Sequence, residues 1–397
     1  MTFEFSPSTD AFATPSYTDA SAYVQHVTTT RGRDGALSQF AAGQMNVKGN
    51  NTGRVWDRRY SSGPFYNSGT GLDPRKRFRW RFRWNSVDYY VFTGFLDGIA
   101  TSREPANRVG WANIRVTDGF KMISRANLPS DGSTVGVGDT VAARMGRIAD
   151  YVGWPAGDRD FDSDAPALIG MVLNGQKALS EVYLASDGDL GQTYIAQDGK
   201  WTYRGHRWRL QNSLTSQGTM GEDSAGGELA YSDLVVDDGS DELIWNRCQI
   251  QAFDGTTPGS FDIVDSTSKT KYGESANNIG QTGLANLNVA KNTAEWVVAQ
   301  YAYPIYRVKS LKIMPLVKPS TLIPFVLGLE IGERITVKSR PMNVGSVDTQ
   351  DVYVEGIAHD FDISGDWTVT LQLSQASAHY WQIGVDKLGS SGTAVWA

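Results

Sequence analysis

The segment Arg77–Trp84 reads RFRWRFRW, an uninterrupted alternation of arginine with phenylalanine or tryptophan. Successive side chains of a β-strand point to opposite faces of the sheet, so this segment predicts a strand with one basic and one aromatic face. Two further strand-like runs, Tyr89–Leu96 (YYVFTGFL) and Trp111–Val116 (WANIRV), follow it. We therefore predict that residues 1–118 form a compact antiparallel β-barrel or sandwich.

The pattern beyond this region changes to helices mixed with short strands. Asp139 is predicted to cap a helix whose apolar residues recur every three to four positions. A second helix is predicted over about 176–186, and it is followed by a hairpin whose turn is Asp198-Gly199, the strongest type of short hairpin signal. Residues 119–205 are therefore predicted to form a small α+β module.

The rest of the chain returns to strand patterns after a polar interval. Residues 212–228 are rich in serine, glycine and threonine, and residues 206–228 are predicted to be a linker or loop. Strands then dominate residues 229–384, which we predict to be a second antiparallel β-barrel. This second region includes a helical excursion at about 255–320 with a helix near 286–301. Residues 385–397 are predicted to be a flexible tail.

Composition restricts the class of protein. The chain is 40% hydrophobic and 11% aromatic, which is enough apolar surface for folded domains. Its length of 397 residues exceeds what a single hydrophobic core usually serves. One cysteine excludes an internal disulfide framework, and four histidines leave little for a metal centre. No apolar run approaches membrane-spanning length and no secretory signal is visible, so we expect a soluble protein made in the cytosol.

Charge is distributed unevenly along the chain. Residues 1–118 carry a formal net charge of +5 and residues 119–397 carry −11. A net acidic chain is poorly suited to tight nucleic-acid binding, which depends on neutralising phosphates. The asymmetry fits a basic face of one copy that meets an acidic face of another, or equally two solvated surfaces of different sign.

No cluster of residues has the pattern of an active site, so we predict no enzymatic activity, no cofactor and no metal site. The alternating carboxylates Asp158, Asp160, Asp162 and Asp164 suit either a divalent ion or glycoside chemistry, or a solvated acidic loop, and the loop is favoured. Cys248 lies in a predicted strand without an evident base and is expected to be a packed side chain.

The arginines of the opening segment are the strongest candidates for a contact site. Spaced two residues apart on one strand face, they need carboxylates or phosphates opposite them. Three partners remain open: a nucleic-acid backbone, an acidic surface of another subunit, or cross-strand acids of the same chain. The subunit-interface candidates are Arg77, Arg79, Arg81 and Arg83.

Four stretches, taken in order, carry a family likeness. They are Thr28–Arg33 followed by Ala42–Arg54, the Arg144–Pro155 run ending in Gly-Trp-Pro, the Leu179–Arg204 run with its Asp-Gly turn, and Val354–Asp360 followed by Trp367–Ser374. Their order and spacing resemble the minor tail proteins of long-tailed, siphovirus-type bacteriophages that form the tail hub, similar to phage baseplate hub proteins.

The resemblance implies a structural virion protein of the tail tip, made in the host cytoplasm. It implies two β-barrel domains related to the tail tube protein, with a smaller domain between them. Three copies would form a ring that joins the sixfold tube to the threefold tip, and would contact distal tail or tube, tape measure and other tail-tip proteins. Viral DNA would pass through without specific binding, and no membrane anchor is expected.

Two alternatives to the hub remain open from the sequence. One is another tail-tip ring component, such as a distal tail protein, which differs from a hub in symmetry more than in sequence pattern. The other is a carbohydrate-binding adhesin or glycosidase that uses exposed tryptophans and the aspartates of residues 158–164. The adhesin alternative accounts for the aromatic content, but it does not account for the α+β module or for the closing strand pair.

Overall fold

The computed structural model describes residues 1–376 apart from 8–10, 68–70, 105, 107–108, 164, 213, 254–255 and 341–345. Strands account for 40% and helices for 22%, so the protein is mainly β, as predicted. The predicted flexible tail, residues 385–397, and the end of the predicted second barrel lie outside the described residues.

The described part of the first 118 residues contains seven strands. They are β1 (Thr2–Phe5), β2 (Thr18–Asp19), β3 (Val24–Gly32), β4 (Gln44–Asn50), β5 (Arg77–Trp84), β6 (Val87–Glu104) and β7 (Val109–Thr117). Strand β5 has the bounds of the alternating arginine–aromatic segment. Phe78 and Trp80 are fully buried on one of its faces, whereas Arg77 and Arg79 on the other face are only partly buried. The two-faced strand predicted from the alternation is therefore confirmed.

Residues 119–205, in their described part, contain three α-helices and five short strands. They are α1 (Phe120–Arg125), α2 (Val141–Val152) and α3 (Ala178–Asp187), with β8 (Thr134–Val135), β9 (Arg159–Phe161), β10 (Met171–Val172), β11 (Gln192–Ile195) and β12 (Trp201–Arg204). Strands β8 and β10 form one small sheet, and β11, β12 and β9 form another. The predicted hairpin is confirmed, because the Asp198-Gly199 turn joins β11 to β12 with Gly199 at a φ of 93°.

The predicted N-cap of helix α2 is wrong by one residue. Thr140 caps the helix, and its hydroxyl accepts a hydrogen bond from the Ala143 amide at 3.2 Å. The Asp139 carboxylate is engaged instead by Arg147, with Nε and Oδ2 2.9 Å apart. The helix ends where predicted, at Gly153, whose φ of 77° is the left-handed conformation that glycine adopts at low cost.

The chain beyond residue 205 contains four helices and nine strands in its described part. They are α4 (His206–Asn212), β13 (Thr219–Met220), β14 (Asp233–Asp238), β15 (Arg247–Phe253), β16 (Pro258–Val264), α5 (Ser266–Tyr272), β17 (Ala276–Gln281), α6 (Leu287–Tyr301), β18 (Tyr306–Ile313), α7 (Pro319–Gly328), β19 (Arg334–Ser339), β20 (Asp348–Asp362) and β21 (Trp367–Gln375). Helix α6 is confirmed, with Asn286 as its cap. The predicted linker at 206–228 contains helix α4 and strand β13, which pairs with β19.

One sheet of 13 strands extends through both β-rich regions. Its hydrogen-bonded order is β14-β18-β21-β20-β3-β4-β7-β6-β5-β1-β2, with β19 added beside β20 and β13 beside β19. Strand β3 of the first region pairs with β20 of the second, from Gly32 opposite Gly356 to His26 opposite Asp362. Pairing among the described strands does not close into a ring, so the closed barrels expected from the sequence are not seen there.

The aromatic residues form the interior. Among the described residues no tryptophan is exposed, and Trp80, Trp154, Trp201 and Trp367 are at most 2% accessible. Edge-to-face and stacked ring pairs add to the stability that their burial provides. No described helix is long and apolar enough to cross a membrane.

Candidate subunit-contact surface and a buried charge cluster

All four β5 arginines lie within 4 Å of a carboxylate of the same chain, and three of them are closely paired. Glu4, on the neighbouring strand β1, lies directly opposite Arg79, and its carboxylate is 2.5 Å from Arg79 Nε and 2.8 Å from Arg81 Nη2. Burial alone would raise the pKa of Glu4, but hydrogen bonds from Arg81 and Arg79 hold it below its usual value. Arg77 pairs with Asp158 of the middle module at 2.9 Å. Carboxylates of the same chain thus neutralise most of the row.

Arg83 differs from the other three arginines. Its side chain is 65% exposed, whereas those of the others are at most 21% exposed. It lies near the turn between β5 and β6, with its Nε 3.9 Å from the Asp88 carboxylate. The role of the row in a subunit interface stays a prediction, and Arg83 is the member with the most surface left for a partner.

The aspartates of residues 158–164 are separate partners of basic or backbone groups. Asp158 pairs with Arg77, and Asp160 accepts from Arg204 Nη1 at 3.0 Å. Asp162 accepts from the Gly205 amide at 3.3 Å, and Asp164 lies outside the described residues. Across the described residues, no three histidine, cysteine or acidic side chains gather as metal ligands would. The described part of this run therefore gives no support to a divalent-ion site.

Cys248 is buried in β15, as expected for a packed side chain. It has no accessible surface, and burial raises the pKa of its thiol to about 11. A thiol with such a raised pKa is protonated near neutral pH and is a poor nucleophile.

A buried carboxylate connects residues from three parts of the chain. Glu355, on β20, has no exposed side-chain surface, and its oxygens lie 2.7 Å from Arg33 Nε and 2.6 Å from Arg209 Nη2. Ser374 Oγ donates to Oε1 at 2.6 Å, and Gln192 Nε2 donates to Oε2 at 3.2 Å. Burial alone would raise the pKa of Glu355, but Arg209 and Arg33 lower it to about 2. The carboxylate is therefore ionised and fully paired.

A second ion pair connects the same parts nearby. Arg31 on β3 lies 2.7 Å from Glu330, which precedes β19. The Gln197 amide, from the hairpin of the middle module, donates to the other Glu330 oxygen at 3.0 Å. Tyr194 of that hairpin donates its hydroxyl to the Ile331 carbonyl at 3.1 Å. Hydrogen bonds thus connect the module directly to the second β-rich region, and Glu330 connects it in turn to Arg31 of the first.

Sequence reasoning did not find this charge cluster. Its one local signal is a charged residue within an apolar strand, since Glu355 follows Val352, Tyr353 and Val354. Its main partner Arg33 lies 322 residues away in the sequence, so no local pattern joins them. A strand with six consecutive buried residues, 352–357, must pair any charge that it carries.

Comparisons with known proteins identify the fold. No model of a known protein family matches the sequence, and no curated protein matches it significantly. The structure is similar to a tail protein from Neisseria meningitidis MC58, with a TM-score of 0.60, 11% identity, and coverage of 94% of this chain and 96% of that one. It is also similar to the 43 kDa tail protein of prophage MuSo2 from Shewanella oneidensis, with a TM-score of 0.56, 10% identity, and coverage of 94% and 98%.

A secretion-system protein has a similar structure. The E. coli c3393 protein, a component of the type VI secretion system with structural similarity to the T4 tail proteins gp27 and gp5, gives a TM-score of 0.51 at 9% identity, over 90% of this chain and 74% of that one. The chain therefore has the fold of phage tail proteins. That resemblance, expected from the order of four sequence stretches, is confirmed at the level of the fold.

Proposed function

We propose that this chain is a structural virion protein of a phage tail and that three copies form the tail hub at the tip. The observation that carries the proposal is the extent of the fold similarity: 94% of this chain aligns with nearly the whole of two tail proteins, one of them also of 43 kDa. A likeness over full length indicates a common architecture rather than one shared domain. No enzymatic activity is expected.

Within such a trimer, each chain would contribute two tube-like β-barrel domains. We assign them to residues 1–118 and 229–384, with the α+β module at 119–205 between them and the connection at 206–228. In favour of this division, each region contributes its own run of strands to the sheet, β4-β7-β6-β5 in the first and β20-β21-β18 in the second. Six such domains would match the sixfold symmetry of a tail tube above the ring.

The uneven distribution of charge along the chain also supports a ring of three copies. The +5 charge of the first region and the −11 charge of the remainder favour head-to-tail contacts between copies, with Arg83 as the exposed basic residue. The net negative charge of the whole would let viral DNA pass along a central channel by repulsion rather than bind to its wall. The partners would be a distal tail or tube protein, the tape measure protein and other tail-tip proteins.

Copy number tests the proposal most directly. Electron cryomicroscopy of the purified chain, or of the particle that contains it, should show three copies around one axis. Three copies of the 43.4 kDa chain have a mass of about 130 kDa, which mass photometry would detect. Six copies would instead assign the chain to a ring beside the tube, such as a distal tail protein. A chain that forms no ring in either sample would contradict the hub.

A further inference from the structure

Three exposed arginines of the first region share one carboxylate. Asp57, in the loop between β4 and β5, lies 2.9 Å from Arg54 Nη2 and 3.2 Å from Arg59 Nε. Arg103 Nη2, from the end of β6, is 3.8 Å from the same carboxylate. The arginine side chains are 42%, 80% and 58% exposed in chain order. Together they form the Asp57 arginine cluster, a surface on which positive charge exceeds the carboxylate that it surrounds.

The cluster is held on a base that is fixed to the core. Hydrogen bonds from the Arg59 amide and the Arg54 guanidinium lower the pKa of Asp57 to about 2, so its carboxylate stays ionised. The neighbouring Trp56 is buried, and its amide donates to the Asn51 side-chain oxygen at 2.9 Å. Because Asp57 already holds these guanidiniums in place, a partner that binds them loses less conformational entropy.

An acidic surface lies at one end of the 13-stranded sheet. Four of the six residues 237–242, at the end of β14 and just beyond it, are acidic. Lys309 is 2.9 Å from Asp237 and 3.8 Å from Glu242, and Arg307 lies opposite Asp237 on β18. Two cations thus face a segment with four acidic residues, and the Glu242 side chain remains 78% exposed.

The strand that leads into this acidic segment has a free edge. β14 is the last strand in the hydrogen-bonded order, and within the described structure only β18 pairs with it. Val235 and Val236, on either side of its bulge, are 46% and 38% exposed. An open edge with exposed apolar side chains is a surface that proteins usually cover or protect. Apolar residues beside a charged rim are also the composition of a protein interface.

We propose that the Asp57 arginine cluster of one copy binds the acidic segment 237–242 of the next copy, with Arg59 facing Glu242 and β14 covered by the same contact. The proposal rests on the ring of copies proposed above and names two surfaces that join them. Among the described residues, no ion pair joins these surfaces within one chain. They are opposite in sign and lie in regions of charge +5 and −11, so a head-to-tail contact brings unlike charges together.

Exchanging the two charges tests the contact in the full-length protein. Arg59→Glu and Glu242→Arg should each weaken self-association about tenfold in mass photometry, because like charges then face each other. The double variant Arg59→Glu/Glu242→Arg should recover the association of the wild type. The Tm should stay near that of the wild type, because both side chains are largely exposed. Arg125→Glu, at an exposed position of α1, is the matched control and should associate fully. A double variant as weak as the single ones, or single variants that associate normally, would overturn the contact.

Cross-linking separates failure of this contact from failure of the hub. A bismaleimide should link Arg59→Cys/Glu242→Cys into products that end at three chains, whereas neither single variant should cross-link. Cys248 is buried and should not react. Products that end at six would keep the contact and overturn the hub. Three copies in mass photometry without cross-links would keep the hub and overturn the contact. DNA binding that Arg59→Glu abolishes, again without cross-links, would assign the cluster to a nucleic acid instead.

Discussion

Two groups of charged residues, the arginine row of β5 and the cluster around Glu355, show opposite relations between sequence and structure. The row is conspicuous in the sequence, yet its partner Glu4 lies on the adjacent strand and both remain partly accessible. The cluster is inconspicuous, yet Glu355 on β20 is fully buried, and its partners come from α4, β21, β11 and the residue after β3. The conspicuous row therefore acts mainly between the adjacent strands β1 and β5, with Arg77 in contact with the middle module, whereas the hidden cluster holds distant parts of the chain together.

The largest effect should come from neutralising the buried carboxylate. In Glu355→Gln, Arg33 and Arg209 would stay buried without an anion, so we expect a loss of about 3–5 kcal/mol in the free energy of unfolding. Urea unfolding followed by tryptophan fluorescence measures this loss. Asp360→Asn on the same strand is the control, because its carboxylate is 64% exposed in a pair with His26 and should cost about 0–1 kcal/mol. Equal losses in both variants would contradict the difference in burial.

A second buried carboxylate, that of Asp189, should make the stability of the protein depend on pH. Asp189 Oδ2 accepts from Tyr203 Oη at 3.0 Å and from the His206 amide at 3.2 Å. Burial raises its pKa to about 6 in spite of those bonds, against about 3.9 in an unfolded chain. The folded state therefore binds more protons between pH 4 and 6, and this residue makes stability fall as the pH rises through that range.

Asp189→Asn should remove that part of the pH dependence. We measure the unfolding free energy of both proteins by urea unfolding at pH 4 and at pH 7.5. The change from pH 4 to pH 7.5 should be more favourable to the folded state in the variant than in the wild type, by about 1–3 kcal/mol. Glu355 acts in the opposite direction, since its lowered pKa gives stability that is lost only as the pH falls from about 4.5 towards 2. Parallel stability profiles for wild type and variant would show that Asp189 is not the cause.

Local elements were the predictable part of the fold. The alternation in Arg77–Trp84, the Asp198-Gly199 turn and the glycine after helix α2 each determine structure within a few residues, and all three predictions are confirmed. The cap of α2 shows the limit of such reasoning. Both Asp139 and Thr140 are good caps, and the choice depended on Arg147, a residue two turns along the helix that engages the aspartate.

The sequence patterns could not predict the pairing of strands that are far apart in the chain. The two β-rich regions were predicted as separate barrels, because each has its own strands and nothing in either pattern indicates that β3 pairs with β20. Helix α7 was missed as well, since Pro324 interrupts its apolar run and proline in a helix interior is unfavourable.

The smallest effect should come from the arginine row, and it separates stability from assembly. In Glu4→Gln, Arg79 and Arg81 would lose their shared carboxylate, but partial exposure lets water compensate, so we expect a loss of about 1–2 kcal/mol in unfolding free energy. Arg83→Gln is the matched control in the same row. Since its side chain is 65% exposed and its nearest carboxylate is 3.9 Å away, unfolding should change by less than about 0.5 kcal/mol.

The same pair of variants distinguishes the two roles of the row. If the row supports the fold through Glu4 and a neighbouring subunit through Arg83, Arg83→Gln should weaken self-association in mass photometry while Glu4→Gln lowers stability with less effect on association. Reversing Arg79 or Arg81 to glutamate would not separate these roles, because it would place a like charge beside Glu4 and destabilise the monomer. Unchanged association in Arg83→Gln would restrict the row to its structural role within the chain.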